Sequence, residues 1–123
     1  MERKLLAVVA ADMVGFSRLI EDDEINVLSR QKNQLNTIIK PEIENSYGEI
    51  IKTTGDGFLA IFPSVLDAVE SSISIQKGIY ENEFEQTNDK KIRYRIGIHV
   101  GDVVMDDGDI FGNTVNIASR LES

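Results

Sequence analysis

The chain has 123 residues, of which 41% are hydrophobic and 28% are charged. This length favours one compact domain with one core, and the composition is ordinary for a globular protein. The absence of cysteine excludes disulfide bonds, zinc knuckles and a thiol nucleophile, and leads us to expect a cytoplasmic location. The net charge of −8, from 13 Lys and Arg against 21 Asp and Glu, argues against binding to nucleic acid. A phosphate ligand would therefore have to arrive together with metal ions.

The first predicted element is a buried strand over Leu5–Ala11, where apolar residues are nearly continuous. The charged start, Met1–Lys4, gives this region some likeness to a signal peptide, but the apolar run is short and leads directly into Asp12. No segment approaches the roughly 20 apolar residues that a membrane span needs. We therefore predict no membrane contact by this segment.

A long helix is predicted next, beginning at the acidic residues Asp22–Glu24, which suit a helix N-terminus. Apolar residues then recur with roughly helical spacing. These positions are Ile25, Leu28, Leu35, Ile38 and Ile39. Pro41 is expected to kink or restart the helix, and Gly48 to end it.

Two β-prone runs follow, Glu49–Thr54 and Phe58–Phe62, and the Gly55–Gly57 segment between them contains the Asp-Gly pair typical of hairpin turns. A second helix is predicted from Ser64, which with Asp67 resembles a capping box. Its apolar stripe is predicted at Leu66, Val69 and Ile73, and its end before Asn88.

A strand with one face on a core is predicted from Ile92 to Met105, because apolar residues alternate there with polar residues and glycines. A turn at Asp106–Gly108 leads into a short return strand, Asp109–Phe111, and then into a helix capped by Asn113.

The predicted order is β-α-β-β-α-β, followed by a hairpin and the start of a helix. This order indicates an α+β fold with a ferredoxin-like core, in which helices cover one face of an antiparallel sheet. The other face of the sheet is predicted to be bare. Such a face would need a partner chain or further sequence to cover it.

Two aspartates are candidates for chemistry, because the ferredoxin-like topology places the strand ending at Asp12 beside the hairpin that contains Asp56. Facing carboxylates in an acidic protein suit a hard cation such as Mg²⁺ or Mn²⁺. Taken alone, Asp12 could equally cap a helix and Asp56 could serve only the turn. The Met13–Ser17 segment could present backbone N–H groups to phosphate, although it lacks the P-loop pattern.

Three blocks of sequence resemble the class III adenylate and guanylate cyclases, most closely the bacterial adenylate cyclases. They are Ala11–Ser17, Lys52–Gly57, and the segment from Asp109 through Asn116 to Glu122. The blocks agree with the family in order and spacing and cover nearly the whole chain. The resemblance implies a catalytic domain that converts ATP to cyclic AMP and pyrophosphate with two Mg²⁺ or Mn²⁺ ions.

The resemblance also implies a role for each matching residue. Asp12 and Asp56 would bind the metals with the Met13 carbonyl, while the backbone amides of the next four residues would lie near the phosphates. Those four are Val14, Gly15, Phe16 and Ser17. Lys52 and Asp109 would read the adenine ring, where guanylate cyclases typically carry Glu and Cys.

The last two matching residues, Asn116 and Arg120, are four apart and so share one face of a helix. In the family such an asparagine orients the ribose and such an arginine stabilises the transition state. The alternative, a polar residue in the first turn and a solvated arginine, would be preferred without the other blocks.

Family sites form between two head-to-tail chains, so the resemblance implies a homodimer with shared sites and, in the parent protein, regulatory domains. Family domains also continue beyond the position of Ser123 and carry a later lysine that contacts the triphosphate. We therefore interpret residues 1–123 as one cyclase catalytic domain, incomplete at its C-terminus. A non-catalytic dimerisation or nucleotide-sensing domain of the same fold is the main alternative. A phospho-receiver domain fits less well, since Asp12 stands alone before a hairpin-rich order.

Overall fold

The computed structural model describes residues 1–123 and has the predicted order of strands and helices. In chain order the elements are β1 (Glu2–Met13), α1 (Phe16–Gln34), a π-helical segment (Leu35–Ile39), α2 (Lys40–Asn45), β2 (Glu49–Thr53), β3 (Gly57–Phe62), α3 (Val65–Asn82), β4 (Tyr94–Asp106), β5 (Asp109–Phe111) and α4 (Asn113–Glu122). All strand pairs are antiparallel, and the strand order is β2-β3-β1-β4-β5. The predicted α+β, ferredoxin-like fold class is confirmed.

Strand β1 lies at the centre of the sheet, and its alternate residues form two separate cores. One face packs against α1, α2 and α3, because successive side chains of a strand point to opposite sides. This first core includes Val9, Met13, Phe62, Ile43 and Ile75. Its residues are almost completely buried, as expected for the main hydrophobic contribution to folding.

The opposite face of the sheet is covered in part by α4, so the prediction of a bare face is wrong. A second core forms there around Leu6, Val8 and Ala118. Gly97 allows the close approach, because a Cβ atom at this position would lie 2.4 Å from the carbonyl oxygen of Ala118. Gly101 does the same opposite Thr114, also at 2.4 Å. From the sequence alone, these two glycines are predicted only to occupy positions on the face of an alternating strand that points away from the core.

Helix α1 begins at Phe16, earlier than the predicted start at Asp22–Glu24. Packing of Phe16 and Leu19 on the first core stabilises the earlier turns. The backbone leaves helical geometry at Asp23, whose carboxylate accepts a hydrogen bond from the Asn26 amide at 3.2 Å, so a second helical stretch starts within the predicted acidic segment. As a consequence Ile25 is 84% exposed and does not belong to the core.

The restart expected at Pro41 is confirmed, because α2 has a proline in its first turn and follows the π-helical segment. The chain then turns through Tyr47, which has a positive φ of 65°, and not through Gly48. A glycine is needed at position 48 for another reason. A Cβ atom there would meet the ring of Phe62 at 2.4 Å.

Helix α3 begins at the predicted cap, where the Ser64 hydroxyl accepts a hydrogen bond from the Asp67 amide at 3.4 Å. The predicted stripe, Leu66 with Val69 and Ile73, does not face the core. All three are exposed, since the sheet packs against a second set of small and branched residues. That set is Ala68, Ser71, Ser72, Ile75 and Ile79.

Both predicted hairpins are present, and the last helix is displaced by one residue. Gly112 precedes α4 as its N-cap, so Asn113 is the first helical residue and not the cap. Gly112 has a φ of 125°, a conformation that favours glycine over asparagine. None of the helices combines the length and apolar character needed to cross a bilayer.

Candidate active site

Asp12 and Asp56 lie side by side at one end of the sheet. Asp12 is paired in register with Gly57, the residue that follows Asp56. The Met13 amide donates a hydrogen bond to the Asp56 carbonyl oxygen at 2.7 Å. Only glycine fits at position 57, because a Cβ atom there would lie 1.8 Å from the carbonyl oxygen of Ala11. The Asp-Gly pair thus brings the turn against β1 as well as reversing the chain.

Helix α1 supports the turn that carries Asp56. The Gln31 side-chain amide donates a hydrogen bond to the carbonyl oxygen of Gly55 at 2.9 Å. The same helix is fixed at Arg30, whose guanidinium forms an ion pair with the buried Glu83 carboxylate. Movement of the turn is therefore restrained from the helical side of the sheet.

Two charged residues that sequence reasoning missed surround Asp12. Arg95, the register partner of Asp12 on β4, donates from Nε to the Asp12 carboxylate at 3.3 Å. Glu122, at the end of α4, lies against the same carboxylate. The pKa of Glu122 is raised to about 7, mainly by burial and secondly by its contact with Asp12. The predicted alternation of β1 and β4 could have indicated Arg95, but Glu122 depends on the docking of α4.

A pocket of about 350 Å³ lies between α4 and the end of the sheet that carries Asp12 and Asp56. Its sheet side carries Asp12, Asp56 and Lys52, and its helical side carries Ser119 and Glu122. The structure thus gathers several of the charged residues singled out in the sequence around one cavity. Polar side chains converging on a concave surface are typical of a ligand site.

Lys52 and Asp109 meet although they come from the two edge strands of the sheet. The Lys52 ammonium donates to the Asp109 carboxylate at 3.1 Å. The pKa of Asp109 is held below its usual range, mainly by a hydrogen bond from the Ile110 amide and secondly by the Lys52 ammonium. For β2 and β5 to meet in this way, the sheet must curl around the second core. A further cavity of about 550 Å³ is lined by Asp109, Ile50 and Met105, whereas Lys52 lines the pocket of the carboxylates.

The connection from β1 to α1 offers fewer free amides than the sequence indicated. The Val14 amide is not available, because it donates to the Arg93 carbonyl oxygen at 2.8 Å. Gly15 is the N-cap of α1, with a positive φ of 62°. The amides of Phe16 and Ser17 belong to the first helical turn and have no partner within the helix.

Asn116 and Arg120 lie on an exposed part of α4. Neither lines the pocket that contains Asp12 and Asp56. Val115, Ser119 and Glu122 occupy that side of the helix instead. The chain therefore does not bring this pair to its own carboxylates.

The chemistry of the donor atoms around Asp12 and Asp56 fits a hard divalent cation. All are oxygen atoms, and one of them, Oε2 of Glu122, is buried without a hydrogen-bond partner. No set of three His, Cys, Asp or Glu side chains is close enough to form a complete site by itself. Further ligands would have to come from backbone, water or substrate, as is usual for Mg²⁺ bound with phosphates.

Comparison with known proteins agrees with this arrangement. Residues 2–123 match the model of the adenylate and guanylate cyclase catalytic domain. The chain belongs to this family. The cyclase family predicted from the three sequence blocks is thereby confirmed.

Curated relatives of this cyclase domain include two bacterial proteins. One, from Rhizobium meliloti, is described as a candidate adenylate cyclase and is 36% identical over 121 residues, which are 98% of this chain and 21% of the relative. The other, an adenylate cyclase of Streptomyces coelicolor, is 33% identical over 118 residues, or 96% of this chain and 29% of the relative. The chain thus spans less than a third of the length of either relative.

Among solved structures, an adenylate/guanylate cyclase/hydrolase from Silicibacter pomeroyi is similar to this cyclase domain throughout. It superposes with a TM-score of 0.90 at 48% identity, covering 99% of this chain and 70% of that one. A bacterial light-regulated adenylyl cyclase shares the fold with a TM-score of 0.84 at 22% identity.

Proposed function

We propose that this cyclase domain converts ATP to cyclic AMP and pyrophosphate. The observation that carries the choice of ATP is the Lys52–Asp109 pair, a donor and an acceptor 3.1 Å apart, of which Lys52 lines the carboxylate pocket and Asp109 a neighbouring cavity. The Rhizobium meliloti and Streptomyces coelicolor relatives, both described as adenylate cyclases, support the same choice.

Asp12 and Asp56, with the Met13 carbonyl, are proposed to hold two Mg²⁺ or Mn²⁺ ions. Their adjacency at the end of β1 supports this role. The ions, when bound, supply Lewis acidity that favours deprotonation of a hydroxyl and offsets phosphate charge. The chain contributes the fixed position of both carboxylates and the free amides of Phe16 and Ser17 for phosphate oxygens.

Lys52 and Asp109 are proposed to bind the adenine ring, the ammonium at a ring nitrogen and the carboxylate at the exocyclic amine. A site built to complete such hydrogen bonds rejects a base that leaves them unpaired. Guanine presents an acceptor where adenine presents its amine. Asp109 would then face an oxygen atom, which disfavours GTP.

The remaining two residues, Asn116 and Arg120, are proposed to act on the substrate held by a second chain. Their exposure on α4, away from the chain's own carboxylates, supports a head-to-tail homodimer with two shared sites. Asn116 would orient the ribose so that its 3′-hydroxyl attacks the α-phosphorus in line. Arg120 would stabilise the negative charge that develops as pyrophosphate leaves.

A non-catalytic dimerisation or nucleotide-sensing domain is the second candidate. It is favoured by the positions of Asn116 and Arg120, which this chain does not bring to its own carboxylates. We propose that residues 1–123 form one domain and that the parent protein adds regulatory domains. A cytoplasmic location stays a prediction from the sequence.

The test is to incubate the purified chain with ATP or GTP and Mn²⁺ and to measure both cyclic products. We expect cyclic AMP from ATP and much less cyclic GMP from GTP. Equal turnover of the two nucleotides would refute the base assignment. Binding of ATP without any cyclic product would favour the non-catalytic candidate.

A further inference from the structure

A cavity of about 190 Å³ lies on the helical side of the sheet, behind the turn that carries Asp56. Leu28 and Leu35 form part of its wall on the helices, and Thr53 forms part of its wall on the β2–β3 hairpin. Leu35 belongs to the π-helical segment, a rare element that occurs frequently at functional sites. None of the residues with a proposed role in the cyclase reaction lines this helical-side cavity.

The inner end of the helical-side cavity is apolar. Ile39, Phe58 and Tyr94 line it there and are at most 6% exposed. A cavity of roughly 150 Å³ lined by such side chains stays dry and binds benzene. The available volume therefore suits a single aromatic ring with one or two small substituents.

The buried side chain of Tyr94 directs its hydroxyl group into the helical-side cavity. Tyr94 belongs to β4, and β1 lies between β4 and β3, so about 10 Å separates its backbone from the hairpin wall. Its ring crosses this gap and approaches the ring of Phe58, with the centroids 6.5 Å apart. Only the far end of the side chain therefore reaches the cavity. Side chains bind Tyr94 only at its carbonyl oxygen, which accepts from Gln76 at 2.9 Å, so the hydroxyl is free to bind a polar atom of a ligand.

Lys32 places a positive charge at the mouth of the cavity. It is exposed and lines the cavity, and no Asp or Glu lies within ion-pair distance of its ammonium. The cavity also has no acidic side chain in its lining. In a chain with a net charge of −8, an unpaired cation on an otherwise uncharged wall favours an anionic ligand.

The hairpin wall of the cavity includes the residues on both sides of Asp56, which are Gly55 and Gly57. Two backbone hydrogen bonds close this turn. The Met13 amide donates to the Asp56 carbonyl oxygen at 2.7 Å. The Thr54 amide donates to the Gly57 carbonyl oxygen at 2.9 Å. A ligand in the cavity would pack against the closed form of the turn.

We propose that the helical-side cavity is an effector site for a small aromatic acid, a single ring that carries a carboxylate and a hydroxyl group. The ring fills the apolar inner end, its hydroxyl binds the Tyr94 hydroxyl, and its carboxylate faces Lys32. Occupancy of the site restrains the turn that holds Asp56. The inference rests on the proposed function only in taking Asp56 as an active-site residue, since binding requires neither nucleotide nor metal.

Binding of 4-hydroxybenzoate tests the site, because this probe carries its two polar groups at opposite ends of the ring, as the cavity does. Titration of the full chain without metal or nucleotide is followed by amide NMR and by calorimetry. We expect a Kd of roughly 0.1 to 1 mM, in keeping with the efficiency of ligands of about ten heavy atoms. The amide shifts should concentrate at Leu35 and Thr53, whereas Ser119 on α4 should not respond.

Three variants test the separate contacts with the ligand. Tyr94→Phe removes only the hydroxyl group and should weaken 4-hydroxybenzoate about fivefold without changing the affinity for benzoate. Lys32→Gln should weaken 4-hydroxybenzoate about threefold and leave phenol unchanged, with the exposed Lys77→Gln as its matched control. Leu28→Trp should close the mouth and abolish binding of all three probes. Leu66→Trp, at an exposed position of α3, should bind them as the wild type does.

Hydrogen exchange at the Met13 and Thr54 amides measures the effect of the ligand on the turn. A ligand that binds only the closed turn reduces its opening by the factor 1 + [L]/Kd. With 4-hydroxybenzoate at about ten times its Kd, exchange in the wild type should therefore slow about tenfold. At the same concentration, exchange in Tyr94→Phe should slow only about threefold.

Three results would overturn the proposal. Absence of binding, or binding that Leu28→Trp leaves intact, would remove the site. Equal affinity for phenol and 4-hydroxybenzoate would show that the carboxylate is not recognised. Binding with unchanged exchange at Met13 and Thr54 would break the link to the turn. Failure of the proposed function would instead appear as absence of cyclic AMP with Mn²⁺ while 4-hydroxybenzoate still binds.

Discussion

At the scale of single residues, Asp12 is the centre of the site. Its carboxylate has one cationic neighbour, Arg95, and two acidic ones, Asp56 and Glu122. Three carboxyl groups face the Arg95 guanidinium, and the other cation in the lining, Lys52, is paired with Asp109, so the pocket keeps an excess of negative charge. Such a pocket attracts a small multivalent cation and repels a nucleotide that arrives without one.

The proposed roles of Lys52 and Asp109 predict a change of base preference. Replacing both, by Lys52→Glu and Asp109→Cys, should shift the ratio of kcat/KM for ATP and GTP toward GTP. The altered groups leave the amine and the ring nitrogen of adenine without partners, which weakens recognition of ATP. Steady-state kinetics with each nucleotide measure the ratio. The exposed Lys77→Glu is the matched control, and a double variant that retains the wild-type ratio would remove the pair from base recognition.

Tyr94 predicts a pH dependence of stability. The pKa of Tyr94 is raised to about 12, mainly by burial and to a smaller extent by the negative charges of Glu83 and Asp56. The unfolded chain loses this proton near pH 10 and the folded chain only near 12, so the folded state loses stability as the pH rises between these values. Tyr94→Phe should remove about 2 to 3 kcal/mol of that loss. Urea unfolding at pH 9 and pH 11.5 checks this, and parallel curves for both proteins would contradict it.

At the scale of elements, docking of α4 determines the geometry of the site. The helix and β4 meet at Gly97 and Gly101, which allow backbone contact across the second core. A sequence pattern gives no direct sign of such contact, since glycines in a strand equally suit a bulge or a bend. For the same reason Glu122 could not be identified from its position in the chain.

Most of the remaining helices and strands could be predicted from short-range sequence signals. The elements that could not be predicted in this way depend on tertiary packing. The Ser64 cap, the Asp56 hairpin and the restart at Pro41 depend on neighbouring residues, and the structure has all three. The start of α1 at Phe16 depends on burial of its first turn against the sheet. The exposure of Leu66 depends on which of two apolar stripes of α3 meets the core.

Gly97→Ala tests the contact between α4 and β4. The added methyl group would overlap the α4 backbone, and we expect a loss of about 1 to 3 kcal/mol in the free energy of unfolding. Gly55→Ala is the matched control, since a Cβ atom at that position meets nothing within 4 Å. Thermal unfolding of both variants measures the difference. Equal melting temperatures would mean that α4 does not rest on Gly97.

At the scale of the whole molecule, the proposed active-site residues point in two directions. The carboxylates open into the pocket under α4, while Asn116 and Arg120 are exposed on its other side. One chain therefore carries two different halves of a site. The proposed second copy, arranged head to tail, would complete both.

Mixing two inactive variants of the longer parent domain tests this arrangement. Asp56→Ala and Arg120→Ala homodimers should each be nearly inactive. A mixed dimer has one site with both defects and one intact site. With random exchange about half the dimers are mixed, so roughly a quarter of the wild-type activity should return. If tagged co-purification confirms exchange and no activity returns, both residues act within one chain.

Under the proposed base-binding role of Lys52 and Asp109, the curl of the sheet has a consequence for how nucleotide preference can change during evolution. Lys52 and Asp109 are 57 positions apart in the chain and lie on opposite edge strands, yet they neutralise each other. A mutation of either residue leaves the charge of the other without a partner. A single substitution toward a new base therefore gives a protein in which the two side chains fit neither adenine nor guanine. The two positions should therefore co-vary among relatives. Transitions between nucleotide specificities should then occur as paired substitutions in distant parts of the gene.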